Sequence, residues 1–263
     1  MALANVRSGW RYERYVALAG LFAMAALAWL YLGVEAHRME AMLGEMAGSG
    51  PMEAPDSAWN AGPLLLTLVM WTVMMVAMML PSATPAILLY GAMARKSRDR
   101  ASGLPSVGVF TMGYLAVWTA FSLAATVLHA AFDTWRLLTP AMTSASTLLS
   151  GSLLIAAGIY QWLPIKNACL EKCRAPLQFF LFRWRPGARG ALQMGAEHGL
   201  FCVGCCWALM LLLFTAGVMN LLWVALIAAF VLIEKLAPGG ALIARIAGVV
   251  LGVVGAALIL GSA

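Results

Sequence analysis

The sequence contains few charged residues. Only 11% of its 263 residues are Asp, Glu, Lys or Arg, whereas 63% are hydrophobic. An average soluble domain carries about 25% charged residues, so this composition argues against a soluble globular protein. No polar stretch is long enough to form a separate soluble domain. The chain also has no low-complexity tract, which argues against intrinsic disorder.

Other absences restrict the possible functions. The chain has no glycine-rich nucleotide-binding loop, which disfavours ATP-driven pumping. Its five cysteines are an odd number, so at least one cannot form an intramolecular disulfide. The net charge of +6 would suit nucleic-acid binding. In a chain this apolar it more often indicates basic segments on the cytoplasmic side of a membrane, and we expect no nucleic-acid partner.

Long apolar runs are abundant, and each can cross a bilayer if it holds about 20 mostly apolar residues. The first run exceeds the apolar region of a signal peptide, so we interpret it as a retained anchor. We therefore predict an all-α, polytopic transmembrane helix bundle of about seven spans, forming one domain over residues 1–263. The predicted spans are Tyr15–Val34, Pro63–Tyr90, Leu104–Ala131, Met142–Leu163, Ala191–Gly217, Asn220–Lys235 and Ala241–Gly261.

The distribution of basic residues predicts the orientation. With the N-terminus inside and the C-terminus outside, all but two of the 17 Lys and Arg residues fall in inner segments. The two exceptions are Arg38 and Arg136. The segment Glu35–Ala61 then forms an acidic outer loop. This pattern predicts a multi-pass protein of a cytoplasmic membrane.

Span five contains the strongest candidate site. His198, Cys202 and Cys205 follow one another at helical spacing and share a face, and Cys206 lies one turn after Cys202. Thiolate and imidazole are ligands for copper(I) or zinc. The alternative is that cysteine packs between helices as a small apolar residue. Three cysteines within five residues, with His198 and Glu197 a turn away, favour the metal site.

Methionines form a second candidate site, in span two. Thioether sulfur is a soft, neutral ligand suited to copper(I), although methionine also fills irregular gaps between helices. By helix length, Met74 and Cys202 lie within about one helical turn of the same depth, so the two clusters could meet. The methionines are Met70, Met74 and Met78 in one stripe and Met75 and Met79 in an adjacent one.

Cys169 and Cys173 form a third candidate site, at the inner end of span four. If this segment is helical, their sulfur atoms could share a metal. The nearby Lys166, Lys172 and Arg174 favour thiolate. The alternative is two reduced cysteines in a basic interfacial loop.

Three ionisable residues fall within or at the ends of the spans. Charged groups in lipid usually face the bundle interior and have partners, which predicts roles for Glu197, Glu234 and Lys235 inside the bundle. The alternative for Glu234 and Lys235 is a pair that extends to the membrane surface from a helix end.

Several of these segments together resemble a known family. They resemble a bacterial family of predicted metal-binding integral membrane proteins, long classed as a domain of unknown function, with some members labelled copper chaperone. The resemblance covers about residues 60–236 and implies metal binding. The motifs are Trp71-x-x-Met74-Met75-x-Ala77-Met78-Met79-Leu80-Pro81-Ser82, Gln161-Trp162-x-Pro164-x-Lys166-x-x-Cys169-x-x-x-Cys173-Arg174-x-Pro176, Gly199-x-x-Cys202-x-Gly204-Cys205-Cys206-Trp207-x-Leu209-Met210, Gly217-Val218-Met219-Asn220 and Glu234-Lys235.

Three functional hypotheses follow. The first is a non-enzymatic protein that binds copper(I), or zinc or another soft ion, and delivers it to a membrane or exported cuproenzyme. Its ligands would be the sulfur atoms of spans two and five and His198, with Cys169 and Cys173 as an inner transfer site. The second is a non-catalytic subunit or assembly factor of a larger membrane complex. The third is a membrane thiol-disulfide oxidoreductase, which would need a cysteine pair on the oxidising side.

Overall fold

The fold was analysed on a computed structural model, which describes residues 2–48, 59–96, 104–139 and 142–261. Within these residues the regular elements are α-helices, which confirms the all-α prediction. The helices are α1 Ala2–Gly48, α2 Ala61–Lys96, α3 Leu104–Thr134, α4 Thr147–Tyr160, α5 Pro164–Arg174, α6 Pro176–Phe182, α7 Gly187–Leu211, α8 Leu213–Ala216, α9 Leu221–Leu236 and α10 Gly240–Gly261.

Among the described residues, five helices are long and apolar enough to cross a membrane, or six if α4 and α5 count as one bent span. The five lie in α1, α2, α3, the α7–α8 segment and α10. The predicted sixth span corresponds to α9, which has 16 residues and extends about 24 Å at 1.5 Å per residue. The prediction of seven spans therefore remains a prediction, and so does the orientation of the termini.

Helix α1 is much longer than the predicted first span. It has 47 residues, or about 70 Å, and continues through the first part of the segment that we predicted as an outer loop. No glycine or proline interrupts residues 35–43, and Arg38 pairs with Glu35 one turn away, at 2.9 Å. The sequence signal that ends the helix is the Gly-Ser-Gly-Pro run at 48–51.

The predicted fourth span and inner loop have a different form in the structure. Helix α4 has only 14 residues, and α5 follows it after a bend of 66°. Ser146 caps α4 by accepting a hydrogen bond from the Leu149 amide, and Pro164 starts α5 at its first turn. The segment that we predicted as a basic loop is thus two short helices, α5 and α6, and α5 packs against α7.

The closest helix packing joins α3 to α7. Gly113 of α3 faces the Leu192 carbonyl, and Gly195 of α7 faces the Phe110 carbonyl; an added Cβ would lie 2.2 Å and 2.0 Å from these oxygens. Small residues at such positions allow backbones to approach closely, which is how helices associate in lipid. Glycines also line the contact between α4 and α10, where Gly158 faces the Gly248 carbonyl.

The buried core lies between α2, α3, α7 and α9. Its largest fully buried side chains include Trp71, Trp118, Tyr114 and the methionines of α2. Parts of two predicted segments lie outside the described residues: 49–58 of the acidic outer segment, and 97–103 after the end of α2.

Reporter fusions test the orientation of the last helix. Because α10 is long and apolar enough to cross a membrane, a reporter fused after Ala237 should read inside and one fused after Gly261 should read outside. An alkaline phosphatase fusion, active only outside, and a fluorescent fusion, active only inside, give the two readings. The same reading at both positions would contradict the predicted topology.

A glycine substitution tests the contact between α3 and α7. Gly113→Ala should destabilise the protein by about 1–3 kcal/mol, because its methyl group would overlap the α7 backbone. Gly108→Ala is the matched control, since it lies on the same helix and an added Cβ there meets nothing within 4 Å. Thermal unfolding of the detergent-purified variants measures both. Equal midpoints for the two variants would refute the close packing.

Candidate metal centre

The three cysteines of α7 are buried at the centre of the helix. Cys205 and Cys206 each donate a thiol hydrogen bond to the Cys202 carbonyl oxygen, at 3.1 Å and 3.0 Å. A side chain three or four residues after a carbonyl can bond back to it in this way. The Cys202 thiol points instead toward neighbouring helices.

Cys202 lies where four helices meet. The Lys235 Nζ of α9 donates to the Cys202 Sγ at 3.0 Å and to the Ser82 Oγ of α2 at 2.9 Å. The Tyr114 hydroxyl of α3 lies 3.1 Å from the same sulfur and 3.2 Å from the Met79 carbonyl oxygen. Lysine carries only donors, so the Cys202 sulfur accepts from it.

The cysteines of α7 and the methionines of α2 meet in space. The Cys206 Sγ lies 3.8 Å from the Met79 Sδ. Met79 lies one turn after Met75 on α2. Its depth in the bundle is therefore close to the depth that helix length predicts for Met74. Met74, Met75 and Met78 are buried in the same core.

The cysteines of α5 face the same cluster. The thiols of Cys173 and Cys205 lie near enough to interact electrostatically. Cys169 packs against Gly204, where an added Cβ would lie 2.7 Å from the Cys169 Sγ. Both α5 cysteines are half-buried. They lie on a helix rather than in an interfacial loop, and they adjoin the α7 cluster rather than forming a separate inner site.

His198 lies one turn before Cys202, as predicted, but it sits among aromatic rings. Its ring centroid is 6.2 Å from that of Phe110, 6.0 Å from Tyr114 and 6.4 Å from Phe179. The side chain is 3% exposed, and among the described residues its Nδ1 has no hydrogen-bond partner. His198 therefore retains a buried nitrogen that no group in the described part of the chain satisfies.

The three ionisable residues have different environments. Glu197 is 21% exposed in its side chain and pairs with Arg185 at 2.6 Å and Arg183 at 3.5 Å. Glu234 is fully buried and pairs with Lys166 of α5, which is also fully buried. Lys235 turns away from Glu234, so the alternative of a Glu234–Lys235 pair at the membrane surface is wrong.

Sequence reasoning missed three residues of this centre as functional candidates, namely Lys166, Tyr114 and Ser82. For two of them, the sequence separation from a cysteine or methionine could have indicated their place. Lys166 precedes Cys169 and Cys173 by three and seven residues, so the three share the face of α5 that packs against the core. Ser82 follows Met79 by three residues on α2. Tyr114 gave no such signal, because its place depends on how α3 packs against α7.

Sulfur atoms approach in pairs rather than in larger groups. In the described part of the chain, no three His, Cys, Asp or Glu side chains are grouped so that they could hold one ion. The Cys206–Met79 pair, which includes a thioether, has a sulfur–sulfur distance of 3.8 Å. Two sulfur ligands that share an ion tetrahedrally at about 2.3 Å each lie about 4 Å apart, so the pair fits an ion with little movement.

A family comparison agrees with this donor chemistry. A family model described as copper chaperone (PpoB2) matches residues 68–258, which include α7 and most of α2. This protein belongs to the copper chaperone family. Membership supports a copper-handling role and agrees with the resemblance found in the sequence. No curated protein matches the chain, and no solved structure matches it.

The buried ion pair of this family member can be tested by substitution. Lys166→Met should destabilise the protein by about 3–5 kcal/mol, because it leaves the Glu234 carboxylate buried without its cation. The double variant Lys166→Met, Glu234→Leu should recover most of this loss, since it removes both charges. Thermal unfolding in detergent measures the effect.

The control for that series is an exposed ion pair. Arg38→Ala removes the pair with Glu35, and exposed pairs contribute about 1 kcal/mol or less. If Lys166→Met were as mild as Arg38→Ala, the Lys166–Glu234 pair would not stabilise the interior.

Proposed function

We propose that this protein binds copper(I) inside a membrane-spanning helix bundle and delivers it to a copper-requiring membrane or exported protein. The observation that carries the proposal is the convergence of sulfur atoms from three helices. Met79 comes from α2, Cys173 from α5, and Cys205 and Cys206 from α7. The family's copper role favours copper as the ion.

The type of donor supports the monovalent ion. Thiolate and thioether sulfur select copper(I), whereas zinc in structural sites takes four ligands. The Cys206–Met79 contact offers one thiol and one thioether at 3.8 Å, and the Cys173–Cys205 contact offers two thiols. We propose that these pairs hold the ion, with the remaining cysteines and Met74, Met75 and Met78 as secondary ligands.

The burial of the cysteines suggests a route for the ion. Cys169 and Cys173 of α5 are half-buried, whereas the cysteines of α7 are fully buried. We propose that the ion passes between a partner and the core along α5, from Cys169 through Cys173 to Cys205. This arrangement retains the predicted transfer role of the α5 pair while joining it to the buried site.

The location of the protein follows from the same proposal. Five or six helices in the described part of the chain are long and apolar enough to cross a membrane, and many basic residues lie in the α5–α7 region. Basic segments remain on the cytoplasmic side of bacterial membranes. We therefore propose that the protein lies in the bacterial cytoplasmic membrane with this region inside.

One contact also favours a second candidate, the thiol-disulfide oxidoreductase. The thiols of Cys173 and Cys205 interact electrostatically, and a disulfide between them would be the redox group. Copper handling explains more of the site, because the thioether of Met79 has no part in thiol-disulfide exchange and because the family is a copper chaperone family.

Copper(I) titration against a chromogenic competitor tests the proposal on reduced, detergent-purified protein. The double variant Cys205→Ser, Cys206→Ser should lose binding, since thiolates dominate the affinity for a soft cation. Met79→Leu should weaken binding less, because a neutral thioether contributes less and leucine keeps the volume.

The matched control for Met79→Leu is Met70→Leu. Met70 is also buried on α2, but it lies nine residues away, or about 14 Å along the helix, so its substitution should leave copper binding unchanged. Equal copper binding by the wild type and the double cysteine variant would overturn the proposal. The same holds if the folded wild type binds no copper, and the assembly-factor hypothesis would then replace it.

A further inference from the structure

Lys235 places a positive charge inside the bundle without a carboxylate to balance it. The residue is 6% exposed, and its Nζ donates to the Ser82 Oγ at 2.9 Å and the Cys202 Sγ at 3.0 Å. In the described ranges no carboxylate oxygen lies within 4.0 Å of this nitrogen, because the adjacent Glu234 pairs with Lys166.

The Lys166–Glu234 pair does not compensate Lys235. Lys166 and Glu234 neutralise each other, so the positive charge of Lys235 remains. A buried charge is costly unless a partner compensates it. The groups that interact electrostatically with Lys235 and can carry negative charge include the three cysteines of α7, Cys173 and Tyr114.

We propose that Lys235 is a specificity residue that makes the sulfur cluster favour monovalent over divalent soft cations. The inference rests on the proposed function, since it takes the cluster as the metal site. With two thiolates as ligands, a monovalent ion gives a net charge of −1, which Lys235 neutralises, whereas a divalent ion gives a neutral site. With the Cys206 thiolate and the neutral Met79 thioether, the monovalent site is neutral, whereas the divalent site carries one positive charge beside the lysine.

The selection acts by direct repulsion. Lys235 contacts the cluster through Cys202, and Cys202 precedes Cys205 and Cys206 by one turn. A cation bound among these sulfur atoms is therefore separated from the ammonium by a few ångströms of protein, where unit charges interact strongly. Doubling the charge of the cation doubles this repulsion, whereas the softness of the sulfur ligands does not change.

Silver(I) and cadmium(II) separate charge from softness, because both prefer sulfur and differ in charge. The wild type, reduced and in detergent, should bind Ag⁺ more tightly than Cd²⁺, as measured by competition titration. Lys235→Gln removes the charge but keeps a donor for Ser82. This variant should lower the ratio of the Cd²⁺ Kd to the Ag⁺ Kd about tenfold or more.

Three further variants show whether charge is the cause. Ser82→Ala removes a hydrogen bond of Lys235 without changing charge, and Lys235→Arg keeps the charge, so both should retain the wild-type ratio. Lys235→Met removes the charge and keeps the length of the side chain, so it should lower the ratio as Lys235→Gln does. Circular dichroism and size-exclusion profiles verify that each variant is folded.

An unchanged ratio in folded Lys235→Gln would overturn the inference while leaving the copper proposal intact. If that variant does not fold, Lys235→Met decides, because it removes the same charge, and an unchanged ratio there overturns the inference equally. A wild type that binds neither Ag⁺ nor copper(I) would overturn both the inference and the proposed function.

Discussion

Buried charges in an apolar interior need partners, and this need connects the helices around the sulfur cluster. Lys166 of α5 pairs with Glu234 of α9. The next residue, Lys235, reaches Ser82 of α2 and Cys202 of α7. Two consecutive residues of α9 thus attach that helix to three others. The pair with Glu234 thus fixes α5 to α9, while α5 also packs directly against α7 beside its cysteines.

The close approach of α3 and α7 sets the other side of the centre. Gly113 and Gly195 allow the two backbones to come together. Tyr114, next to Gly113, then places its hydroxyl 3.1 Å from the Cys202 sulfur. The same hydroxyl reaches the Met79 carbonyl of α2. Glycines, which have no functional side chain, therefore determine where the Tyr114 hydroxyl contacts the cluster.

Much of the site could be predicted from the sequence because many of its residues lie close together along the chain. Cys202, Cys205 and Cys206 share one turn of a helix, and helix length gave nearly the right depth for the methionines. The partners of the charged residues could not be predicted. Nothing local indicates that Glu234 pairs with Lys166, 68 residues away. The bend after α4 was missed because the apolar run ends at a proline, which also marks the start of a loop.

An ion bound between paired sulfur atoms would also restrict the conformations of the chain. Cys206 and Met79 are 127 residues apart in sequence, and Cys173 and Cys205 belong to different helices. An ion held between either pair closes a loop of chain, and closing a long loop removes conformational freedom as a disulfide does. A filled site is therefore a reversible cross-link between α7 and its neighbours. Release of the ion returns that freedom to α5, the short helix that follows the 66° bend.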